Sequence, residues 1–445
     1  MAAAAYPGLT VVVGLGKTGL ACARFLRAQG AEVAVTDSRA APPELARVQQ
    51  ELPGLPLALG GFDRALLARA ARVIVSPGVS LAEAALAEAA ERGVPLLSEI
   101  ELFAGVAAAP IVAVTGSNGK STVTTLVGQM ANHAGRRAGV GGNLGTPALD
   151  LLDPAADLYV LELSSFQLEA TTSLAPAAAA VLNVSADHMD RYGSLADYAA
   201  SKARIFKGAA VCVVNADDPM VMAMPRTGRS VAFSIQGEVP EGGWGLARLE
   251  GQEWLMQGRQ PVMPAAALRV RGRHNIANAL AALALGDAAG LPLAAMTAAL
   301  REFTGLPHRT EWIGEAGGVS WYNDSKGTNV GATVAAVAGL ERPLVLIAGG
   351  DGKGQDFSPL RAILAGKARA AVLIGRDAAL IEDAVAGVVP VVRAGDMEDA
   401  VRQARALAQP GDAVLLSPAC ASFDMFSDYV QRGDAFREAV RRWAL

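Results

Sequence analysis

The chain has 445 residues, a formal net charge of −4 and three cysteines; at roughly 150 residues per domain that is room for about three domains, and the acidic balance argues against nucleic acid as a partner. No apolar run reaches the ~18 residues of a membrane-spanning helix, and no basic segment opens the chain, so neither a membrane span nor a secretory signal is expected. Cys22, Cys212 and Cys420 are too far apart for a metal-ligand spacing and suit a reducing cytoplasm.

In chain order, residues 10–14 form a β-rich apolar run ending in glycine, and residues 20–30 have helical spacing that stops at Gly30. Strands follow at 32–36 and 72–76. A second series opens at Pro110 with a strand, a glycine loop and a helix over 121–134. Its later strands are 158–163, 180–183 and 211–215. Residues 231–270 are shorter in pattern and glycine-rich, which predicts a small β excursion, and a helix follows over 275–289. A third series has strands at 319–323, 344–348, 371–374 and 413–417. Short continuous Val/Ile-rich runs alternating with helices predict parallel sheets covered by helices. The expected fold is α/β in three domains: Rossmann-like over 1–102, a central P-loop ATPase-like domain with a mostly parallel sheet over 103–304, and Rossmann-like again over 305–445.

Two glycine turns carry the first chemistry. GLGKTG at 14–19 follows a strand and opens a helix, and Asp37 closes the next strand about 20 residues on. The residues alone fit a dinucleotide turn or a ligand-free tight turn. VTGSNGKST at 114–122 is more specific: Gly116 and Gly119 let the backbone of Ser117 and Asn118 wrap an anion. Lys120 supplies charge for terminal phosphates, and Ser121, beside Thr122, a hydroxyl for Mg²⁺. Val114 stands where the first glycine of the common phosphate-loop pattern falls. Glu162, ending the strand LYVLEL, is positioned to reach a metal at that loop.

These stretches resemble the Mur ligase family, ATP-dependent ligases of peptidoglycan precursor synthesis. The resemblance is carried by TGSNGKST, GGNLGTP at 141–147, ELSSFQLE at 162–169, DHMDRYGS at 187–194 and YAASKARIF at 198–206. RHNIANALAA at 273–282, GLPHR at 305–309, NDSKGTN at 323–329, GGDGKGQDFSPL at 349–360 and LSPACASFDMF at 416–426 continue it in order. The GLGKTG, ELSSFQLE and SPACASFDMF segments look most like the branch that adds D-glutamate to UDP-N-acetylmuramoyl-L-alanine. The resemblance implies that the first turn holds the uridine nucleotide of that acceptor rather than a dinucleotide, and the second holds ATP. It also implies phosphoryl transfer to the acceptor carboxylate, then attack by the D-glutamate amine. A related ligase that extends folates, a nicotinamide-dependent dehydrogenase and a non-catalytic nucleotide-binding module are weaker readings: the first lacks the uridine domain, and the others leave the later motifs idle.

Residue by residue, the resemblance implies that Thr18, Asp37, Ser38, Arg39 and Gly78 contact the uridine nucleotide, and Asn143, Ser164 and Gln167 the rest of the acceptor. Asn275 and Asn278 would lie beside adenine, with Arg309 and Asp324 closing on phosphate and ribose. His188 would stand near a second Mg²⁺, and Lys202 would bind metal as a carbamate, so two Mg²⁺ sites are expected, one with Ser121 and Glu162 and one with His188 and Lys202. Lys326, Thr328, Lys353 and Ser422 would receive the two carboxylates of D-glutamate, which lysines and hydroxyls complement. From residues alone, Lys202 reads as an exposed helix lysine and Ser164 as a helix cap. Lys17 and Tyr429 depart from the family pattern. The expected partners are small molecules only, in a monomer whose third domain rotates to close over ATP.

Overall fold

The computed structural model describes residues 6–270 and 272–445. The first sheet contains β1 (Thr10–Val13), β2 (Val33–Asp37), β3 (Leu57–Leu59), β4 (Arg72–Val75) and β5 (Leu96–Leu97) in the order β3-β2-β1-β4-β5. All its pairings are parallel, with Val11 opposite Ala34 on one side and Val73 on the other. Val11, Val12 and Val13 are fully buried because helices cover both faces.

The central sheet holds β6 (Ile111–Thr115), β7 (Ala138–Gly142), β8 (Leu158–Glu162), β9 (Ala178–Val181), β10 (Val211–Asn215), β11 (Arg229–Ser234), β12 (Trp244–Leu249), β13 (Gln252–Gln257) and β14 (Gln260–Pro264). Its order is β14-β13-β12-β11-β10-β9-β6-β8-β7. The last three strands in sequence form an antiparallel extension, which is the expected β excursion. β6 lies between β8 and β9, so the loop that follows it opens over the strand ends of both neighbours.

The third sheet contains β15 (Glu311–Ala316), β16 (Val319–Asn323), β17 (Leu344–Gly349), β18 (Ala368–Ile374), β19 (Val391–Arg393) and β20 (Ala413–Leu416). It runs β15-β16-β20-β17-β18-β19, parallel except for the edge pair β15–β16. Its two faces bury separate apolar clusters, one around Leu346 and Leu373, the other around Trp321 and Phe436.

The first two domains share one continuous core. Ile100, Leu102 and Phe103 of the helix Glu99–Ala104 belong to the same buried cluster as Val12 and Tyr159, and Phe103 meets the Tyr159 ring edge-on at 5.0 Å. A boundary at 102 therefore falls inside a helix that packs on both domains. Among the described residues no helix is long and apolar enough to cross a membrane.

Candidate active site

Gly116 and Gly119 adopt φ of +153° and +83°, and a Cβ on Gly119 would stand 2.4 Å from Asn278 Oδ1. Only glycine fits both the backbone conformation and the space. The segment after β9 braces the loop. Ser117 Oγ donates to the Ser185 carbonyl at 2.9 Å, and the Asn118 N–H donates to Asn183 Oδ1 at 2.8 Å. The helix Lys120–His133 starts directly from the loop, so its unpaired N–H groups and positive dipole end face the same space.

Two lysines converge on one backbone carbonyl. Lys120 Nζ donates to the Gly116 and Ser117 carbonyls at 2.8 and 2.9 Å, and Lys202 Nζ donates to Gly116 at 3.0 Å. Lys202 is 1% exposed, not the surface lysine that sequence alone suggests. Its helix, Leu195–Ala203, turns it inward over the Tyr198 ring at 4.2 Å. Burial, reinforced by Lys120, drives its ammonium well below the ordinary value.

Glu162 pairs in register with Val114, which carries its carboxylate to the loop; it is 3% exposed. Asn143 Nδ2 donates to Oε1 at 2.6 Å, while Oε2 is buried with no hydrogen-bond partner among the described residues. Burial raises this carboxyl, but Lys120, Ser121, Asn143 and Arg309 outweigh it and keep the group ionised. An unpartnered anionic oxygen beside a serine hydroxyl fits a hard divalent cation. The second expected metal set is less self-evident, because Lys202 without a carbamate is no anionic ligand. Among the described residues no group of three or more His, Cys, Asp or Glu gathers as a metal cluster. His188 stands in the left-handed region at φ +59°, its ring edge-on to Phe166 at 4.8 Å. Burial pulls its imidazole down to about 4, so it is neutral near pH 7.

The third domain completes the site. Arg309 Nη2 donates to Ser121 Oγ at 2.6 Å. Asp187 receives Lys353 Nζ on one oxygen at 2.9 Å and Asn329 Nδ2 on the other at 3.0 Å. Asp187 and Asn329 lie inside the DHMDR and NDSKGTN stretches, but sequence singled out only their neighbours. A pairing across 166 residues leaves no local pattern. Asp324 lines the cleft with its carboxylate occupied by the Thr310 N–H and the Ser417 hydroxyl; burial pushes it up to about 6.

Two cavities flank the loop. One of about 320 Å³ is lined by Asn118, Thr122, Asn275, Asn278, Arg309 and Asp324 among others; Asn278 donates to Asn275 at 3.3 Å, so the two do share a helix face. The other, about 290 Å³, gathers Asn143, Glu162, Ser164, His188 and Lys202 with Thr328, Lys353 and Ser422 of the third domain. Asn118, Gly119, Arg309 and Lys326 belong to both. Lys326 Nζ sits 3.8 Å from the Tyr429 ring centroid, and removal from water, with Arg309 and Lys120 close by, pulls its ammonium down to about 8. Gln167 lies outside both linings: it is buried and closes a reciprocal capping box with Ser164 at the start of the helix Ser165–Glu169. The capping reading of Ser164 is thus correct and extends to Gln167.

In the first domain, Asp37 accepts the Leu15 N–H at 2.6 Å and is clasped by the Arg39 guanidinium at 2.9 and 2.7 Å. Burial would raise this carboxyl, but Arg39 and the turn hold it near 2. Asp37 therefore braces the turn, and Thr18, Ser38, Arg39 and Gly78 are the groups with solvent-facing surface there.

Comparison with known proteins accords with this geometry. Three family models match: "Mur ligase MurD-like, N-terminal domain" over 8–98, "Mur ligase middle domain" over 114–286 and "Mur ligase, glutamate ligase domain" over 308–420. A UDP-N-acetylmuramoylalanine–D-glutamate ligase of Nitrosococcus oceani is 55% identical over 435 residues, covering 97% of this chain and 96% of its own. The ligase of the same name from Methylococcus capsulatus is also 55% identical, with 98% and 95% covered. In fold, the chain is similar to a pseudomurein peptide ligase type C of Methanothermus fervidus, with a TM-score of 0.64 at 19% identity, covering 98% and 99% of the two chains.

Proposed function

The chain belongs to the Mur ligase family, and from that premise we infer that it joins D-glutamate to UDP-N-acetylmuramoyl-L-alanine at the expense of ATP, a step of peptidoglycan precursor synthesis. The observation that carries the chemistry is the wall of Asn118, Gly119, Arg309 and Lys326 common to both cavities. A nucleotide in the first cavity would present its terminal phosphate to a carboxylate in the second.

Both reacting groups are anionic, so the reaction needs cations and positioning more than covalent help. Lys120, Arg309 and Lys326 stand around the junction and offset that repulsion. The acceptor carboxylate oxygen bonds to the γ-phosphorus as the bond to ADP breaks. The D-glutamate nitrogen then adds to the acyl carbon, and phosphate leaves the tetrahedral intermediate as the amine gives up its proton. Lys353, Thr328 and Ser422 line the space for the amino acid, and Lys353 already holds a carboxylate, that of Asp187. Magnesium, when bound, adds charge against the phosphates; Ser121 and Glu162 suit one ion, and His188 with carbamylated Lys202 a second. Burial disfavours the charged form of Lys202, and the neutral amine is the form that takes up CO₂.

Phosphate release with ATP, Mg²⁺ and UDP-N-acetylmuramoyl-L-alanine, screened over D- and L-amino acids, tests the reading. D-glutamate is expected to give turnover. Activity with L-glutamate or a diamino acid and none with D-glutamate would overturn the specificity.

A further inference from the structure

Arg191 has no part in the scheme above, yet it joins the segment around Pro77 and Val79 of the first domain to Phe166, which lines the second cavity. Its Nη1 donates to the Pro77 carbonyl at 3.0 Å and its Nη2 to the Val79 carbonyl at 3.4 Å, more than a hundred residues away in the first domain. Nη2 also donates to Glu169 Oε2 at 2.8 Å, and Cζ lies 3.8 Å from the centroid of the Phe166 ring. The side chain is only 15% exposed. A guanidinium can serve two carbonyls, a carboxylate and an aromatic face at once because it is planar and forked.

The contacts run on in both directions. Toward the first domain, Ser76 Oγ donates to the Gly14 carbonyl at 2.9 Å, so the segment held by Arg191 is itself fastened to the glycine turn. Toward the central domain, Phe166 meets His188 edge-on at 4.8 Å and lines the second cavity. The His188 carbonyl accepts the N–H groups of Arg191 and Tyr192, a tight turn that presents histidine on one side and arginine on the other. Other ties between the two domains include Ser98 with Thr171, Glu101 with Thr172, Glu99 with Leu149 and Arg24 with Asp150, none of which reaches the turn at 76–79.

We propose that Arg191 is a positioning residue that sets the first domain's nucleotide turn relative to the His188 end of the acceptor cavity, so that one acceptor molecule is held at both ends. The proposal rests on the acceptor reading above. Its benefit is the general one of placing two binding sites at the separation a single ligand spans.

Calorimetric titration of Arg191→Ala and Arg191→Lys with UDP alone and with UDP-N-acetylmuramoyl-L-alanine tests it. In Arg191→Ala, UDP affinity is expected to stay within about twofold while the full acceptor weakens on the order of tenfold, with the acceptor KM rising in step and the ATP KM unchanged. Arg191→Lys should show the same split, since an ammonium cannot replace the fork, and it decides the matter if the alanine variant does not fold. Equal weakening of both ligands would mean a merely structural role and overturn the proposal, as would no weakening of either. Wild-type protein that binds neither ligand would overturn the acceptor reading, and this proposal with it.

Discussion

The two glycine turns share a plan: a buried apolar strand, a turn that only glycine can make, and a helix. They differ in the charges built around them. In the first, the turn's Leu15 N–H is already taken by Asp37, whose charge Arg39 balances. In the second, Lys120 and Lys202 crowd one carbonyl, and Glu162 stands by with a free oxygen. The backbone makes an anion cradle possible in both, but the side chains brought in from neighbouring strands and domains decide what it takes. The first turn is internally neutralised, while Lys120, Arg309 and Lys326 set positive charge around the second beside the Glu162 carboxylate.

The largest break in this contrast is Lys120→Ala. Turnover should fall by about a thousandfold, the scale on which one electrostatic contact to a developing charge acts, with the melting temperature little changed. A variant within about tenfold of wild type in phosphate release would refute the loop assignment. Gly19→Ala attacks the first turn through geometry instead. Its Cβ would lie 1.9 Å from the Gly14 carbonyl oxygen, a backbone atom with little room to give. A stability loss of roughly 3 kcal/mol or more is expected in denaturant titration. An unchanged midpoint would show that the turn relaxes freely.

A third experiment probes the seam between the domains that carry the turns. Glu99 is 1% exposed, its Oε1 accepts the Leu149 N–H at 3.0 Å, and Oε2 is buried without a partner among the described residues. Burial pushes its carboxyl from the ordinary 4.5 up to about 7. The folded state then binds more protons than the unfolded state between those values. Stability from this group is full below about pH 4.5 and is lost as pH rises through 7. The loss is at most roughly 3 kcal/mol. Glu99→Gln should flatten melting temperature against pH over that window; a slope equal to wild type would acquit Glu99.

Much of this was readable from the chain alone where a strand ends in chemistry. The runs VVVG, IVAVTG and LYVLEL announce β1, β6 and β8, because strands buried on both faces admit little but Val, Ile, Leu and Ala. β7, with the sequence AGVGG, escaped notice, since glycine there serves close packing: a Cβ on Gly139 would meet the Tyr159 ring at 2.7 Å. β15 also escaped, as an antiparallel edge strand broken by a bulge between Trp312 and Gly314. At the site, residues inside a glycine loop or at a strand end were legible. What was not legible depends on meetings between segments distant in sequence: the burial of Lys202 against Gly116, and the pairing of Asp187 with Lys353 and Asn329 of the third domain. The capping role of Gln167 was not legible either, because a capping residue and a ligand contact look alike in one dimension.

The smallest expected effect sharpens the contrast most. Lys17 occupies in GLGK the place that Lys120 occupies in SNGK, so a comparison by motif makes them equivalents. Their surroundings do not. Lys17 is exposed at the first position of its helix, and a positive charge near a helix N-terminus faces the unfavourable end of the dipole. Solvent and salt screen whatever it contributes to a bound phosphate, and exposed charges of this kind are worth about 1 kcal/mol or less. Lys17→Ala should therefore leave turnover intact and change acceptor KM by no more than about fivefold, with the effect vanishing at high salt. A loss approaching that of Lys120→Ala would mean that the first turn also depends on a cation, and that Asp37 and Arg39 do not complete its charge balance.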